Sequence, residues 1–169
     1  MINKFFKYAF IRVYGVKAYA TRLGVKVGKR GRIYITDWGT EPYLITIGDD
    51  VTITQGVRLL THDGSTELVK NLNGDRYYRY GKIVIGNNVF IGMNSIILPG
   101  ISIGDNVIVG TGSVVTKDLD SNSVYAGNPA KKITEITTYS EKIRSNCCTM
   151  SDLVGDTKRQ KVLDYINRY

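Results

Sequence analysis

Aliphatic residues recur at every sixth position through the middle of the chain. The members of this column are Ile85, Ile91, Ile97, Ile103, Val109 and Val115. A second column of small or aliphatic residues, four positions further on each time, consists of Val89, Ser95, Ile101, Val107, Ser113 and Leu119. Six residues make about 1.7 turns of an α-helix, so successive members cannot share one helical face. Since six and four are even numbers, both columns face the same side of a set of short β-strands.

Turn-forming residues separate these strands. Gly directly follows the aliphatic residue at positions 86, 92, 104 and 110. Pairs of residues that tolerate positive φ occur at Asp49-Asp50, Asn87-Asn88 and Asp105-Asn106. The same register is present earlier at Ile47, Val51, Ile53, Val57 and Leu59, with weaker matches at Val27 and Ile33. The pattern predicts a solenoid of short parallel strands in which each coil pairs only with its neighbours.

The order of aliphatic residue, Gly, turn residues and small or aliphatic residue resembles the hexapeptide-repeat family of acyltransferases, in its sugar and polysaccharide O-acetyltransferase branch. The resemblance implies a mainly β fold, a left-handed parallel β-helix with three sides. The handedness comes from the resemblance alone, because it is an exception to the right-handed crossover rule. We expect an N-terminal amphipathic helix or cap over residues 1–24, the β-helix acyltransferase domain over 25–133 with a loop excursion at 62–81, and a C-terminal extension over 134–169.

The interruption of the repeat contains the candidate catalytic residue. Leu59 and Ile85 are 26 positions apart where one repeat takes six, so a loop of about twenty residues leaves the solenoid. His62, the only histidine, stands at the mouth of this loop. Imidazole titrates near neutral pH and can take the proton of a hydroxyl that attacks a thioester. In the sugar O-acetyltransferases that the chain resembles, a Thr-His-Asp sequence holds the catalytic histidine, which makes His62 the candidate general base.

Two carboxylates are candidates for orienting His62. Asp63 follows it directly, and Gly64 provides the turn that Asp63 needs, because consecutive residues of a strand point to opposite faces. Glu41 is the alternative, from the coil beneath. The sequence leaves both open, although Asp63 is the residue we expect in the site.

The loop itself combines aromatic and polar side chains, namely Asn71, Asn73, Asp75, Arg76, Tyr77, Tyr78, Arg79 and Tyr80. Such a surface suits a sugar, and it equally suits packing against a neighbouring subunit. Both interpretations stay open.

A second motif, Gly-Asn-Pro-Ala-Lys-Lys at 127–132, is similar to the coenzyme A end of these acyltransferases. The phosphates of the coenzyme require cations, and its pantetheine arm requires a narrow groove with main-chain donors. By resemblance, the residues expected to bind acetyl-CoA are Met93, Thr111, Thr116, Lys117, Lys131 and Lys132. Acetyl-CoA is therefore the expected cosubstrate, with no metal, and no phosphate-binding loop typical of ATP sites occurs.

Positive charge is concentrated at the start of the chain. Residues 1–36 contain nine Lys and Arg and no acidic residue, although the whole chain has a net charge of +8. The remaining body is nearly neutral, which disfavours nucleic acid as a partner. The apolar positions Ile2, Phe5, Phe6, Ala9, Phe10 and Val13 have helical spacing and predict an amphipathic helix that ends near Gly15. This helix either caps the open end of the solenoid or contacts an anionic membrane surface.

The remaining sequence features bear on location and assembly. Cys147 and Cys148 are adjacent, so no disulfide framework is expected. No stretch of 18 apolar residues occurs, and we expect a cytoplasmic protein, or one that is peripheral at the inner face of the membrane. A weak terminal helix is predicted from the spacing of Leu153, Val162, Leu163 and Ile166. The resemblance also implies a homotrimer with coenzyme sites between subunits.

Three competing functions follow from the same fold. An N-acetyltransferase acting on an amino sugar differs only in its acceptor. A non-catalytic solenoid that serves as a binding scaffold predicts no affinity for acetyl-CoA. A carbonic anhydrase of the γ class shares the solenoid, but its zinc needs three histidine ligands and this chain has one histidine.

Overall fold

Three parallel sheets form the walls of a solenoid in the computed structural model, which describes residues 4–149 and 158–167. The first sheet contains β1 (Lys26–Val27), β3 (Ile45–Ile47), β8 (Ile83–Ile85) and β11 (Ser102–Ile103). The second contains β2 (Arg32–Ile33), β4 (Thr52–Ile53), β9 (Phe90–Ile91), β12 (Val107–Val109) and β14 (Ser123–Ala126), followed by the antiparallel β15 (Lys131–Glu135). The third contains β5 (Arg58–Leu59), β10 (Ile96–Ile97) and β13 (Val114–Val115). Because the chain visits the three sheets in turn, the solenoid has three sides.

The interior of the solenoid is filled by the two columns of the sequence repeat. Every member of both columns is at most 5% exposed. The two serines among them are paired, since the hydroxyls of Ser95 and Ser113 donate to the carbonyl of Gly110 at 3.0 and 2.6 Å. Buried polar groups are retained in a core when they are hydrogen-bonded in this way. The predicted inward face is therefore confirmed over its whole length.

The glycines of the repeat lie where the backbones of successive coils touch. A Cβ atom built on Gly86 would lie 2.8 Å from the carbonyl carbon of Gly104. Oδ1 of Asp105 is nearer still, at 2.5 Å, and the main chain of Gly104 cannot move aside in a close-packed stack, so no side chain fits there. At the neighbouring turn, Asn88 and Asn106 have φ values of 53° and 56°, as the turn chemistry predicts. The side-chain amide of Asn88 donates to Oδ1 of Asn106 at 2.8 Å, which ties one coil to the next.

Three coils depart from the eighteen-residue length that joins Phe90 to Ile108. The first coil is two residues longer, because Arg32 pairs with Thr52 twenty positions on. The next departure is the excursion, whose neck is the antiparallel pair β6 (His62–Asp63) and β7 (Arg79–Tyr80). The last of the three coils is two residues shorter, since Val107 pairs with Ser123 sixteen positions on.

The N-terminal helix α1 (Lys4–Arg22) differs from the prediction in its length. Gly15, with φ 84° and ψ 164°, interrupts it, and a second helical segment continues to Arg22. This conformation is nearly restricted to glycine. Tyr19 and Ala20 of the second segment are buried in the core of the solenoid.

The face predicted to cap the solenoid is largely exposed. Phe5, Phe6 and Val13 are 76%, 67% and 71% exposed, and Ile2 lies outside the described residues. The break at Gly15 explains the difference, because it lets the second segment supply the buried Tyr19 and Ala20, while Phe10 and Ile11 of the first segment are only partly buried against the core. In the described part of the chain, no helix is long and apolar enough to cross a lipid bilayer.

Thr137 begins a second compact unit. It contains most of α2 (Ile136–Asn146) and the helix α3 (Lys158–Ile166), which accounts for the predicted terminal helix, although Leu153 lies outside the described residues. The hydroxyl of Tyr165 donates to the carbonyl of Asn146 at 2.7 Å. Cys147 and Cys148 are free thiols.

The close approach at the glycine column can be tested directly. We expect Gly86→Ala to lower the free energy of unfolding by about 1–3 kcal/mol, the usual cost of overpacking. Chemical denaturation measures this change. Gly64→Ala is the matched control, because a Cβ atom there meets no atom within 4 Å. Equal losses in the two variants would contradict the explanation.

Candidate active site

His62 is held at the neck of the excursion, next to the wall of the solenoid. It pairs with Tyr80 across the β6–β7 ladder. The amide of Gly81 then donates to the carbonyl of Thr61 at 2.8 Å. The backbone at His62 is thus fixed on both sides, while its side chain is 46% exposed. A histidine in this position is rigidly anchored and still accessible to substrates.

Glu41 is the carboxylate that contacts His62. Its Oε2 atom lies 2.9 Å from Nδ1 of the imidazole. The hydroxyl of Thr61 donates to the same oxygen at 2.7 Å, and the hydroxyl of Thr40 lies 3.3 Å from Nδ1. The Glu41 side chain is only 13% exposed. The carboxylate therefore lies beneath the imidazole and is bound on several sides.

The hydrogen bonds to Glu41 decide its protonation. Burial alone would raise the pKa of Glu41, but hydrogen bonds from Thr61, His62 and Thr40 outweigh it, and the pKa lies below the ordinary value of 4.5. At neutral pH the carboxylate is ionised and can only accept hydrogen bonds. Nδ1 of His62 must then bear the ring proton, because it faces Glu41 at bonding distance. The second ring nitrogen, Nε2, is left as the basic position.

Asp63 does not take the role that the sequence suggested for it. Its carboxylate accepts hydrogen bonds from the amide and the hydroxyl of Ser65, at 3.0 and 2.6 Å. It thereby caps the short 3₁₀ helix Gly64–Leu68, and these bonds lower the pKa of Asp63. Arg79 lies 3.9 Å away on its other side. Asp63 is turned away from His62 because neighbouring residues of a strand face opposite sides.

A cleft of about 350 Å³ adjoins His62. Its wall is a stack of three residues, Leu60, Leu98 and Thr116, that directly follow the three strands of the third sheet. Backbone bonds from Leu60 to Ile97 and from Leu98 to Val115 keep these coils in register. The wall along the solenoid is thus apolar at Leu60 and Leu98, whereas His62, Asp63 and Arg79 line the cleft with polar and charged groups at the neck of the excursion. Within the described ranges, no group of three or more side chains that could ligate a metal occurs.

The residues expected to bind acetyl-CoA fall at two corners of the solenoid. Thr116 lines the cleft beside His62, and Lys117 follows it. Met93 and Thr111 lie at the opposite edge of the third sheet, before β10 and β13 begin. The carbonyl of Met93 accepts a hydrogen bond from Gly112 at 2.8 Å, so these turns are also stacked. At about 3.3 Å per strand residue, the two corners are up to about 16 Å apart. One chain does not bring all four residues together.

The lysines after the Gly-Asn-Pro-Ala turn differ from one another. The turn stacks on β13, since Ala130 donates to the carbonyl of Val114 at 2.8 Å. Lys131 and Lys117 are exposed, and neither forms an ion pair with any described residue. Lys132 instead pairs with Glu135 at 2.5 Å, which raises its pKa. Lys117 and Lys131 are therefore the better available cations.

An aromatic series extends from His62 along the excursion. The ring of Tyr80 lies 6.3 Å from the imidazole, in an edge-on orientation. Tyr78 stacks on Tyr80 with centroids 6.1 Å apart, and the guanidinium of Arg76 lies 4.9 Å from the Tyr78 ring. Both tyrosines are more than half exposed. The arrangement presents flat apolar rings to solvent next to the imidazole.

The sequence analysis did not identify Thr40 and Thr61 as partners of Glu41. A strict eighteen-residue coil would place Leu59 above Glu41, but the longer first coil shifts the register to Thr61. Ile33 and Ile47, members of the same column, are fourteen positions apart where two repeats take twelve, and this is the signal that could have revealed it. Both irregular segments, the one before Ile45 and the excursion, meet at His62.

Comparison with known proteins decides the family. Residues 82–117 match the family model described as the hexapeptide repeat of succinyl-transferase. Protein CapG of Staphylococcus aureus is 49% identical over 155 residues, which cover 88% of each chain. The chain belongs to the hexapeptide-repeat acyltransferase family. The hexapeptide-repeat family and the acyltransferase class expected from the sequence are thus confirmed.

Galactoside acetyltransferases are similar over part of the chain. The galactoside O-acetyltransferase of Escherichia coli (strain K12) is 47% identical over 98 residues, covering 57% of this chain and 46% of that protein. The solved structure of a galactoside acetyltransferase in complex with coenzyme A has 35% identity and a TM-score of 0.56, covering 70% of this chain and 58% of that chain. This chain therefore spans about half the length of these relatives. The likeness supports the left-handed β-helix fold.

The bond from Thr61 to Glu41 gives a prediction about ionisation. Thr61→Val removes one donor from a buried site, so the pKa of Glu41 should rise. A carboxyl-resolved NMR titration measures it. Because the folded pKa is lowered, the ionised Glu41 stabilises the fold above the ordinary value of 4.5, and this stabilisation is lost as the pH falls through the folded pKa. The free energy of unfolding of Thr61→Val should therefore fall less on acidification than that of wild type.

Thr52→Val is the control for that titration, because Thr52 lies in β4 and its replacement leaves the bonds to Glu41 in place. An unchanged pKa of Glu41 in Thr61→Val would show that the Thr61 hydroxyl does not stabilise the carboxylate.

Proposed function

We propose that this protein transfers an acetyl group from acetyl-CoA to a hydroxyl group of a sugar or glycan precursor. The observation that carries the proposal is the Glu41–His62 contact at the cleft, which leaves Nε2 of His62 as a base beside a wall that is apolar at Leu60 and Leu98. The similar galactoside O-acetyltransferase, and the coenzyme A in the solved structure of such an enzyme, support the donor and the acceptor class.

His62 acts as the general base of the reaction. Nε2 takes the proton of the acceptor hydroxyl as the oxygen attacks the carbonyl carbon of the thioester. Ionised Glu41 stabilises the imidazolium that forms, through the bond to Nδ1. The tetrahedral intermediate then expels the coenzyme A thiolate, which takes the proton back from Nε2. One ester bond forms, one thioester bond breaks, and the imidazole returns to its starting state.

Direct transfer in a ternary complex fits the composition of the cleft. Among the described residues that line it, none is a cysteine or serine that could form an acyl-enzyme. The exposed stack of Leu60, Leu98 and Thr116 is suited to the pantetheine arm, because that arm is a narrow, mostly apolar chain. Lys117 and Lys131 supply cations for the phosphates of the coenzyme.

A homotrimer belongs to the same proposal. Met93 and Thr111 lie at a different corner from His62 within one chain, and a neighbouring subunit could bring this corner against the cleft. The cleft is open on one side, since Leu60 and His62 are 39% and 46% exposed. A second subunit on that side would enclose the arm and exclude water from the thioester.

The aromatic series beside His62 supports a sugar as the acceptor. The exposed rings of Tyr78 and Tyr80 suit the apolar face of a pyranose. A general base favours a hydroxyl acceptor, because an alcohol, unlike a neutral amine, becomes strongly nucleophilic only as it loses its proton. An amino sugar acceptor is separated from this outcome by NMR analysis of the product.

Removal of the base tests the proposal. We expect His62→Ala to lower kcat about 10²- to 10⁴-fold, the usual contribution of a general base. Release of free coenzyme A thiol from acetyl-CoA is measured with a panel of hydroxyl and amino sugars. Calorimetry of coenzyme A binding is the control, and the affinity should be retained. A variant with near-normal turnover would remove His62 from the mechanism, and a wild-type protein that neither binds nor consumes acetyl-CoA would favour a binding scaffold.

The two carboxylates near His62 make a matched pair for a second test. Glu41→Gln should lower kcat at least about 10-fold with little change in the KM for acetyl-CoA, because the amide no longer holds Nδ1 in its protonated form. Asp63→Asn should have a much smaller effect on kcat, since Asp63 binds Ser65. Steady-state kinetics of both variants measures the difference. Equal kcat values in wild type and Glu41→Gln would refute the positioning role of Glu41.

A further inference from the structure

The first segment of α1, before Gly15, exposes an apolar face with positive charges on both sides. Phe6, Val13 and Tyr14 are 67%, 71% and 66% exposed. At about 100° of rotation per residue, these side chains fall on one half of the helix. Lys7 falls at one edge, next to Tyr14, and Arg12 falls about 100° beyond Val13 on the other side. This order, an apolar centre with basic residues on both sides, is typical of helices that lie in a membrane interface.

A groove continues this face towards the second segment of the helix. It has a volume of about 540 Å³, and its lining includes Phe6, Phe10, Val13 and Tyr19. Two cations are held against its aromatic rings. Nζ of Lys7 lies 5.7 Å from the centre of the Tyr19 ring, and Cζ of Arg22 lies 5.5 Å from the centre of the Phe10 ring. The apolar surface therefore has positive charge along its length.

The positive charge of this segment indicates which kind of partner the surface binds. Residues 1–36 contain nine Lys and Arg and no acidic residue. Among the residues the structure describes, no ion pair involves Lys7, Arg12 or Arg22. A second copy of the chain would bring the same positive charge against this face, which opposes self-association through it. An anionic surface with an apolar layer beneath it matches both features.

We propose that the face formed by Phe6, Val13 and Tyr14, with Lys7 at one edge and Arg12 further round the helix on the other side, docks on the surface of an anionic lipid bilayer. The aromatic and aliphatic side chains lie at the level of the acyl boundary, and the long basic side chains reach the phosphate groups. The proposal concerns a surface separate from the cleft at His62 and does not depend on the proposed reaction.

Sedimentation of the full chain with vesicles tests this surface. Vesicles of mixed phosphatidylglycerol and phosphatidylcholine should bind the protein at low ionic strength, and vesicles of phosphatidylcholine alone should bind it much less. About 0.5 M NaCl should weaken the binding, because it shortens the range of the electrostatic attraction. Absence of binding to the anionic vesicles, or equal binding to both kinds, would overturn the proposal.

Two pairs of substitutions separate the apolar and the electrostatic contributions. Phe6→Ser with Val13→Ser, and Lys7→Gln with Arg12→Gln, should each reduce the partition coefficient on anionic vesicles by about 10-fold or more. Tyr34→Ser with Tyr43→Ser is the control for the first pair, because these tyrosines are exposed elsewhere, at 56% and 64%. Lys142→Gln with Arg144→Gln, two exposed cations of α2, is the control for the second.

The helix variants change exposed side chains, so their circular dichroism and thermal unfolding should match wild type. Retained vesicle binding in both helix variants would place the lipid contact elsewhere and overturn the proposal. A second result would also overturn the proposal. If wild type does not bind vesicles, and Phe6→Ser with Val13→Ser dissociates an oligomer in analytical ultracentrifugation, the face joins copies of the chain.

Discussion

Each coil of this solenoid is held to the next by backbone hydrogen bonds in a fixed register. β10 pairs with β5 on one side and with β13 on the other, and every inward residue lies directly above another inward residue. Strands in such a stack are about 4.8 Å apart. At each corner this spacing leaves room for the backbones of successive coils but not for a side chain between them. The glycine column and the left-handed turn residues are consequences of this spacing.

The same constraint determines where chemistry can occur. An added residue cannot enter the stacked interior without displacing a whole column, so extra residues must leave at a corner. The chain does this in two adjacent coils, once before Ile45 and once in the excursion after Leu59. Because the coils are stacked in register, the two departures meet. Glu41 from one then lies beneath His62 from the other.

A nearly buried carboxylate is costly unless its oxygens are hydrogen-bonded, and Glu41 satisfies this condition through Thr61, His62 and Thr40. The arrangement that compensates for burial also fixes the proton of the imidazole on Nδ1. Stability and reactivity at this corner thus depend on the same few contacts. The helix segment before Gly15 does not depend on contacts of this sort. Its positive charge follows from its composition, and its exposure follows from the conformation of Gly15.

The sequence by itself determined the six-residue repeat, the inward columns, the excursion and His62 at its mouth, because residues at a period of six share one face only in short strands. The three sides were implied by the family resemblance and are shown by the order of the sheets. The sequence did not determine the partner of His62. Asp63 is adjacent in sequence, yet strand geometry turns it towards Ser65, whereas Glu41 is twenty-one positions away and becomes a neighbour only through the longer first coil. The exposure of Phe6 and Val13 likewise depended on the break at Gly15. The local period can be read from the sequence. Which residues of two coils come into contact depends instead on the total number of residues in the coil that separates them.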